Sequence, residues 1–230
     1  MKTPHTFTVQ ALLFDMDGTL VDSTTAVART WRRFARRHGL DAEEILRTSH
    51  GHRTAETVAR HAPSGADVDA ETAWLVAQDV ADTTGVVAVP GAAELLATLP
   101  PDRWALVTSA GRELAARRMA AAGLTPPPVT VTADDVAAGK PDPEGYLTAA
   151  RLLGVPAAGT VVFEDAPAGL DAARAAGARP VVVGPYSGTA ARGLSRVPDL
   201  RPVRAGLRDD GRIELTLHAA TLLREDVTSP

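Results

Sequence analysis

Short apolar runs alternate along the chain with longer segments in which apolar residues recur at helical spacing. The runs contain few polar residues, as expected of strands that are buried on both faces of a sheet. Strands that alternate with helices predict an α/β fold, in which helices cover both faces of a parallel sheet. The predicted strands are 11–14, 104–108, 129–132, 160–163 and 179–183, and the predicted helices between them include 112–122, 143–153 and 168–176.

One region of the chain breaks this alternation. Residues 24–86 contain no convincing strand, and Val27, Trp31 and Phe34 recur there at helical spacing. We therefore expect a helical domain at 23–87, inserted into an α/β core domain that consists of 1–22 and 88–230. Near the end of the chain, 201–207 and 211–217 flank the turn sequence RDDG, which predicts a β-hairpin.

Composition limits the classes of function. The chain has 230 residues, of which 45% are hydrophobic, so a packed core is expected. A net charge of −4 and only 4% aromatic residues argue against nucleic-acid binding. Cysteine is absent, which excludes disulfides and thiol chemistry and suits the cytoplasm. No apolar run has the length of a membrane span, and no signal-peptide pattern is seen, so a cytoplasmic protein without membrane contact is expected.

Two aspartates stand at the end of the first predicted strand, in the sequence LFDMDGTLVDS. Ligands bind beyond the carboxyl ends of strands in open parallel sheets, which is where Asp15 and Asp17 would lie. Two close carboxylates repel each other, so they need a cation, a shared proton or different environments. Gly18 permits a tight turn whose amides can face an anion. A polar turn with a helix cap explains the pair alone about equally well.

Three later stretches also place polar residues at strand or helix ends. In ALVTSAGR, Thr108 and Ser109 precede a helix, where they can bind phosphate or simply cap the helix. In GKPDPEGY, Lys140 is either a solvated lysine or a fixed charge directed at a phosphate. In VVFEDAPAGL, Glu164 and Asp165 are either caps or ligands for a hard cation. The specific observation is the combination, because all of these residues would meet at one edge of the sheet.

Taken together, these four stretches make the sequence resemble the haloacid dehalogenase superfamily of phosphotransferases. DMDGT matches the first family motif, Thr108 the second, Lys140 the third and Glu164–Asp165 the fourth. Within the superfamily, the sequence resembles sugar-phosphate and polyol-phosphate phosphatases, such as those for 2-deoxyglucose 6-phosphate, glycerol phosphate and hexitol phosphates. The stretches that carry this resemblance are FDMDGTLVDS, TSHGHRT, VPGAAELL, VTSAGR, GKPDPEGYL and FEDAPAGL. The resemblance covers 12–184 and implies a Rossmann-like core with an inserted helical cap.

The resemblance also implies a role for each motif residue. Asp15 would attack phosphorus and form an aspartyl phosphate, and Asp17 would protonate the leaving alcohol. Mg²⁺ would be bound by Asp15, the Asp17 carbonyl and Asp165, while the sequence leaves open whether Glu164 is a ligand. The remaining residues would offset charge on the phosphoryl oxygens; these are Gly18, Thr108, Ser109 and Lys140.

The stretch SHGHRT adds candidates from the cap, namely His50, Gly51 and Arg53, with a weaker case for His52. The family likeness implies that these residues face the substrate; alternatively, His52 and Arg53 simply begin a surface helix. We expect the cap to hinge near 21–22 and 87–90 and to close over the aspartates. His50 and Arg53 would then contact the sugar or polyol rather than the reacting phosphate.

The leading hypothesis is a monomeric, Mg²⁺-dependent phosphatase for small sugar or polyol phosphates. A mutase of the β-phosphoglucomutase type, which would share all four motifs, is the alternative. A true dehalogenase is less consistent with the second aspartate, Asp17. A non-catalytic sugar-phosphate sensor is less consistent with the complete motif set.

Overall fold

The structure is a computed structural model and describes residues 4–218 and 220–223. A central seven-stranded sheet organises this part of the chain. The strands are β1 (His5–Val9), β2 (Ala11–Phe14), β3 (Val21–Asp22), β4 (Val87–Ala88), β5 (Trp104–Val107), β6 (Thr130–Val131), β7 (Thr160–Glu164), β8 (Arg179–Val183), β9 (Ser195–Val197), β10 (Val203–Leu207), β11 (Ile213–Leu217) and β12 (Thr221–Leu222). The α-helices are α1 (Thr24–His38), α2 (Ala42–Ser49), α3 (Thr54–His61), α4 (Val68–Ala81), α5 (Ala92–Ala97), α6 (Arg112–Ala121), α7 (Glu144–Leu152) and α8 (Pro167–Ala175).

The central sheet has the order β12-β9-β8-β7-β2-β5-β6, and only the pair of β12 and β9 is antiparallel. This confirms the predicted α/β class with a mostly parallel sheet. Strand β2 lies in the middle, where Phe14 is paired with Leu106 of β5 and Phe163 of β7. The carboxyl ends of these three strands are therefore adjacent, as the sequence predicted.

Side chains on β2 fix the strand end by packing on both faces of the sheet. The Phe14 ring stacks on Phe163, with ring centroids 4.9 Å apart, and meets Trp104 edge-on at 5.9 Å. Leu13 points to the opposite face, where it joins the cluster that contains Tyr146 of α7. Burying a side chain of the size of Phe14 contributes about 1.5–3 kcal/mol, so the residue that follows it is rigidly placed.

Helices α1 to α4 occupy the whole interval between β3 and β4, a stretch that the structure describes without gaps. These helices enclose an apolar cluster of their own, which is centred on Trp31, Phe34, Ile45, Val58 and Leu75. Strands β3 and β4 pair antiparallel at the base of this helical unit. We call α1 to α4 the cap.

A separate three-stranded sheet has the order β1-β11-β10. The antiparallel pair of β10 and β11 is the hairpin predicted around RDDG, and the Arg208 amide closes its turn by donating to the Arg212 carbonyl at 2.8 Å. Strand β1 was not predicted, since its half-buried HTFTV pattern does not form an apolar run. Within residues 4–218 and 220–223, none of the helices combines the length and apolar composition needed to cross a bilayer.

Candidate active site

Asp15 directly follows β2 at the carboxyl edge of the sheet. Its amide donates to the Phe163 carbonyl at 3.0 Å, which extends the β2–β7 pairing by one residue. Asp15 is 7% exposed, and its carboxylate accepts a hydrogen bond from the Lys140 ammonium. Burial raises the pKa of Asp15, and the Lys140 charge opposes that rise. The carboxylate therefore needs nearby positive charge to remain ionised and reactive.

The turn after Asp15 brings Asp17 and Gly18 beside the end of β7, which Asp165 follows. Gly18 has φ +87°, and a Cβ there would lie 1.8 Å from Asp165 Oδ2. Only glycine allows this approach of backbone and carboxylate. The Asp17 carboxylate accepts from Ser23 Oγ at 2.6 Å and from Arg118 Nη1 at 2.8 Å. Both Asp17 oxygens are thus engaged, and the side chain is held in one orientation.

The second motif lies at the end of β5. Thr108 is buried, its amide donates to the Val131 carbonyl at 2.9 Å, and its Oγ1 accepts from the Ala110 amide at 3.1 Å. Ser109 Oγ donates to the Gly51 carbonyl of the cap at 2.9 Å. These bonds explain the turn before α6, and they place the Thr108 hydroxyl in the same cavity as Asp15 and Asp17.

Lys140 and Glu164 form a buried charged pair behind Asp15. The Lys140 Nζ donates to Glu164 Oε1 at 2.7 Å and to the Val107 carbonyl at 3.2 Å, in addition to Asp15. Burial would lower the pKa of Lys140, but the carboxylates of Asp15 and Glu164 outweigh it and raise that pKa well above its ordinary value. Lys140 is therefore a fixed positive charge at the strand ends and not a solvated lysine.

The Glu164 carboxylate is fully surrounded by donors from the protein. Besides Lys140, the Tyr146 hydroxyl donates to Oε1 at 3.0 Å, and the amides of Asp165 and Ala166 donate to Oε2 at 2.9 Å each. A Cβ on Gly169 would lie 1.6 Å from Oε1, so glycine on α8 leaves room for the carboxylate. Both carboxylate oxygens of Glu164 therefore accept hydrogen bonds from the protein.

Asp15, Glu164 and Asp165 offer ligand atoms that all lie within 4.8 Å of one another. Such a set of crowded carboxylates suits a hard divalent cation that prefers oxygen ligands. The Asp165 side chain accepts from His50 and, at 3.5 Å, from Thr19. Burial raises the pKa of Asp165, which a bound cation would counteract. The residues present therefore fit a divalent metal.

Three residues in the cap segment that carries the predicted substrate residues contact the core. His50 Nε2 lies 2.6 Å from Asp165 Oδ2, and this hydrogen bond raises the pKa of His50 to about 9. Gly51, with φ +80°, packs against Ala166 so closely that a Cβ would lie 2.7 Å from the alanine methyl. Arg53 donates to the carbonyls of Val136 and Ala137 at 3.1 Å each. The Arg53 guanidinium thus binds the loop before Lys140, whereas the family resemblance implied that it faces the substrate.

A cavity of about 350 Å³ lies between the cap and the core. Its floor is the carboxyl edge of the sheet, with Asp15, Asp17 and Thr108. The cap contributes an apolar wall and several polar groups; these residues are Val27, Trp31, Leu46, Ser49, His50, His52 and Thr54. A chamber of this kind, with reactive groups at the bottom and mixed walls, suits a small organic ligand.

Residues 9–177 match the family of haloacid dehalogenase-like hydrolases. The chain belongs to this family. It is 46% identical over 179 residues to hexitol phosphatase A of Escherichia coli, covering 76% of this chain and 82% of that protein. It is 38% identical over 187 residues to glycerol-1-phosphate phosphohydrolase 2 of Saccharomyces cerevisiae, covering 76% and 75%. The crystal structure of CbbY from Rhodobacter sphaeroides in complex with phosphate matches with a TM-score of 0.71 and 26% identity, covering 84% of this chain and 95% of that one.

These comparisons confirm the family resemblance that was based on the four motifs. They also agree with the expected enzyme class, a phosphoric monoester hydrolase of the haloacid dehalogenase-like type. The β1-β11-β10 sheet, apart from Val9, lies outside the residues that match the family.

Several residues that shape this haloacid dehalogenase-like site were not predicted from the sequence. Ser23 and Arg118 hold Asp17, Tyr146 holds Glu164, and Asp79 of the cap lines the cavity. For Arg118 a signal was present. It lies four residues after Leu114 and three after Ala115, on the buried face of α6, where an arginine needs a partner.

Proposed function

We propose that this protein hydrolyses small sugar or polyol phosphate monoesters through an aspartyl phosphate on Asp15, with Mg²⁺ as cofactor. The observation that carries the proposal is the buried Asp15 carboxylate at the end of the central strand, bound by Lys140 and facing the cavity with Asp17. A carboxylate in this position can act as a nucleophile, and the fixed cation beside it offsets the charge of a phosphoryl group.

In the first step an Asp15 oxygen forms a bond to phosphorus while the bond between phosphorus and the leaving oxygen breaks. The Lys140 ammonium and the Thr108 hydroxyl donate to the phosphoryl oxygens, and the Ser109 amide adds a further donor. Lys140 is held by Glu164 at 2.7 Å and is therefore already in place before the substrate arrives. Such preorganised donors account for most of the catalysis of phosphoryl transfer.

Asp17 transfers protons in both steps. It gives a proton to the leaving alkoxide in the first step and takes one from the attacking water in the second. Water attack then releases phosphate and restores the Asp15 carboxylate. Proton transfer to the leaving group matters most for alkyl esters, because a sugar or polyol alkoxide is a poor leaving group. This requirement connects Asp17 to the proposed substrate class.

The carboxylates of Asp15 and Asp165 and the carbonyl of Asp17 would hold Mg²⁺. When bound, the ion supplies positive charge that neutralises the phosphate and orients it toward Asp15. Glu164 is not assigned as a ligand in this proposal, because four protein donors already occupy its oxygens.

The substrate class is inferred from the cavity and from the relatives. A cavity of about 350 Å³ is at the small end of ligand sites, which suits a monosaccharide or polyol phosphate. Hydroxyl and imidazole groups on the cap side, from Ser49, His52 and Thr54, can hydrogen-bond to hydroxyls of the substrate. The relatives named above include a hexitol phosphatase and a glycerol-1-phosphate phosphohydrolase. Both support a phosphatase in preference to the mutase alternative.

The proposal is tested by a phosphate-release screen over sugar, polyol and nucleotide monophosphates with Mg²⁺. We expect turnover of one or more sugar or polyol phosphates, and loss of turnover in Asp15→Asn with the circular dichroism spectrum unchanged. Phosphate release by Asp15→Asn at the wild-type rate would refute the nucleophile. An isomeric sugar phosphate formed without phosphate release would instead identify a mutase.

A further inference from the structure

Arg118 is a buried arginine that connects the core to the cap at the edge of the active site. It belongs to α6 and is 4% exposed. Its Nη1 donates to Asp17 Oδ2 at 2.8 Å, and its Nη2 lies 3.4 Å from Asp79 Oδ2. Asp17 belongs to the catalytic turn of the core, whereas Asp79 belongs to α4 of the cap. One guanidinium therefore contacts carboxylates on both sides of the cavity.

Both carboxylates are fixed independently of Arg118. Asp79 is buried, and Thr30 Oγ1 of α1 donates to its Oδ1 at 2.7 Å. Asp17 accepts from Ser23 Oγ at its Oδ1. A guanidinium is planar and always charged, so it can hold two carboxylates in a defined relative position. The contacts from Asp17 through Arg118 to Asp79 thus relate the orientation of Asp17 to the position of the cap helices α1 and α4.

Packing alone does not explain an arginine here. Its neighbours on the same helix face, Leu114, Ala115 and Met119, are apolar and buried. An apolar side chain of similar volume in place of a buried ion pair is often neutral or stabilising. The charged group is therefore better explained by its contacts to the two carboxylates than by a contribution to stability.

We propose that Arg118 is a positioning residue, which sets the orientation of Asp17 for proton transfer and makes that orientation depend on the cap through Asp79. The inference rests on the proposed role of Asp17. The contacts of Asp17 to Arg118 and Ser23 define the position from which it presents a proton to the leaving oxygen.

Loss of Arg118 should depend on the leaving group. An alkyl phosphate needs a proton on its leaving oxygen, whereas p-nitrophenolate leaves without one. General acid catalysis contributes about 100- to 10,000-fold, and Asp17 itself remains in the variant. We therefore expect Arg118→Met to slow phosphorylation of Asp15 by glycerol 1-phosphate about 10- to 100-fold, and by p-nitrophenyl phosphate less than about 3-fold.

The experiment measures formation of the aspartyl phosphate by rapid quench for both esters. The control is Arg117→Gln, an exposed arginine on the same helix, which should leave both rates unchanged. Equal losses on the two esters in Arg118→Met, or no loss on either, would overturn the proposal. Where Arg118→Met does not fold, Arg118→Lys gives the same comparison, since it keeps the charge but loses the fork that reaches both carboxylates. A selective loss on the alkyl ester supports positioning, and an equal loss overturns it.

The connection to the cap is tested by Asp79→Asn, alone and combined with Arg118→Met. If Asp79 acts through Arg118, Asp79→Asn should slow the alkyl ester selectively in the wild-type background and have no further effect on that selectivity in Arg118→Met. Additive effects would overturn the connection. If the wild-type protein forms no aspartyl phosphate from either ester, the proposed function fails. If it does and only the selectivity is missing, this inference alone fails.

Discussion

The bonding of Glu164 leads to a prediction that separates support of Lys140 from metal binding. We consider Glu164→Gln, which keeps the shape of the side chain but removes its charge. All four neighbours of the carboxylate are donors in the structure: the Lys140 ammonium, the Tyr146 hydroxyl and the amides of Asp165 and Ala166. A glutamine has only one oxygen, so its NH₂ group must face donors on one side.

The size of the effect follows from the burial of this network. Glu164 is 0% exposed and Lys140 is 6% exposed, so solvent cannot replace the lost contacts. Breaking a buried charge pair by removing one partner costs about 3–5 kcal/mol. We expect Glu164→Gln to lower the free energy of unfolding by about that amount. The urea midpoint should then fall by about 1 M or more. Turnover should fall as well, because Lys140 loses a group that fixes it.

The assay combines urea unfolding with a titration of activity against Mg²⁺. Because the Glu164 oxygens are occupied by protein donors, the Mg²⁺ concentration for half-maximal activity should change little. Glu113→Gln, an exposed glutamate on α6, is the matched control and should change stability by no more than about 0.5 kcal/mol. A stability loss below about 1 kcal/mol together with a large rise in the required Mg²⁺ would refute this reasoning and make Glu164 a metal ligand.

Three further predictions test neighbouring parts of the site. Gly18→Ala should abolish turnover, because its Cβ would lie 1.8 Å from Asp165 Oδ2, whereas Gly39→Ala has a similar positive φ with nothing within 4 Å and should only lower the melting temperature. Arg53→Ala should reduce kcat/KM equally for a polyol phosphate and an aryl phosphate, since Arg53 supports the loop before Lys140; a larger loss on the polyol phosphate would indicate direct substrate contact. EDTA should remove activity, and Asp165→Asn should raise the Mg²⁺ requirement by more than the roughly 10- to 100-fold typical of groups that only support a ligand; an unchanged Mg²⁺ requirement would contradict the metal site.

Most of the core fold was predictable because its strands are buried on both faces. Such strands form short apolar runs, and the boundaries of β2 and β8 agree with the prediction residue by residue. Strand β1 was not predicted because it is stabilised in a different way. It is stabilised by pairing with β11, more than 200 residues away along the chain, and its alternating pattern carries only a weak local signal. Long-range pairing of this kind is decided by tertiary structure.

The candidate site divides in the same way. Asp15, Asp17, Thr108 and Lys140 stand next to strand or helix ends, so a sequence pattern predicts both their position and their proximity. The direction of a long side chain on the cap is different, because it depends on how two packed units meet. Arg53 illustrates this, since nothing in SHGHRT indicates that its partners are the carbonyls of residues 136 and 137.

Three of the contacts between cap and core share a feature that bears on turnover. Ser109 Oγ donates to the Gly51 carbonyl, Arg53 binds the loop before Lys140, and Arg118 joins Asp17 to Asp79. Each contact ends on a segment that carries a group of the proposed mechanism. Hydrogen bonds of this kind contribute about 0.5–3 kcal/mol each, and water replaces them when the cap moves away. Movement of the cap away from the core would therefore disturb the segments that carry these groups. Closure would then restore the catalytic geometry in the same step that encloses the substrate.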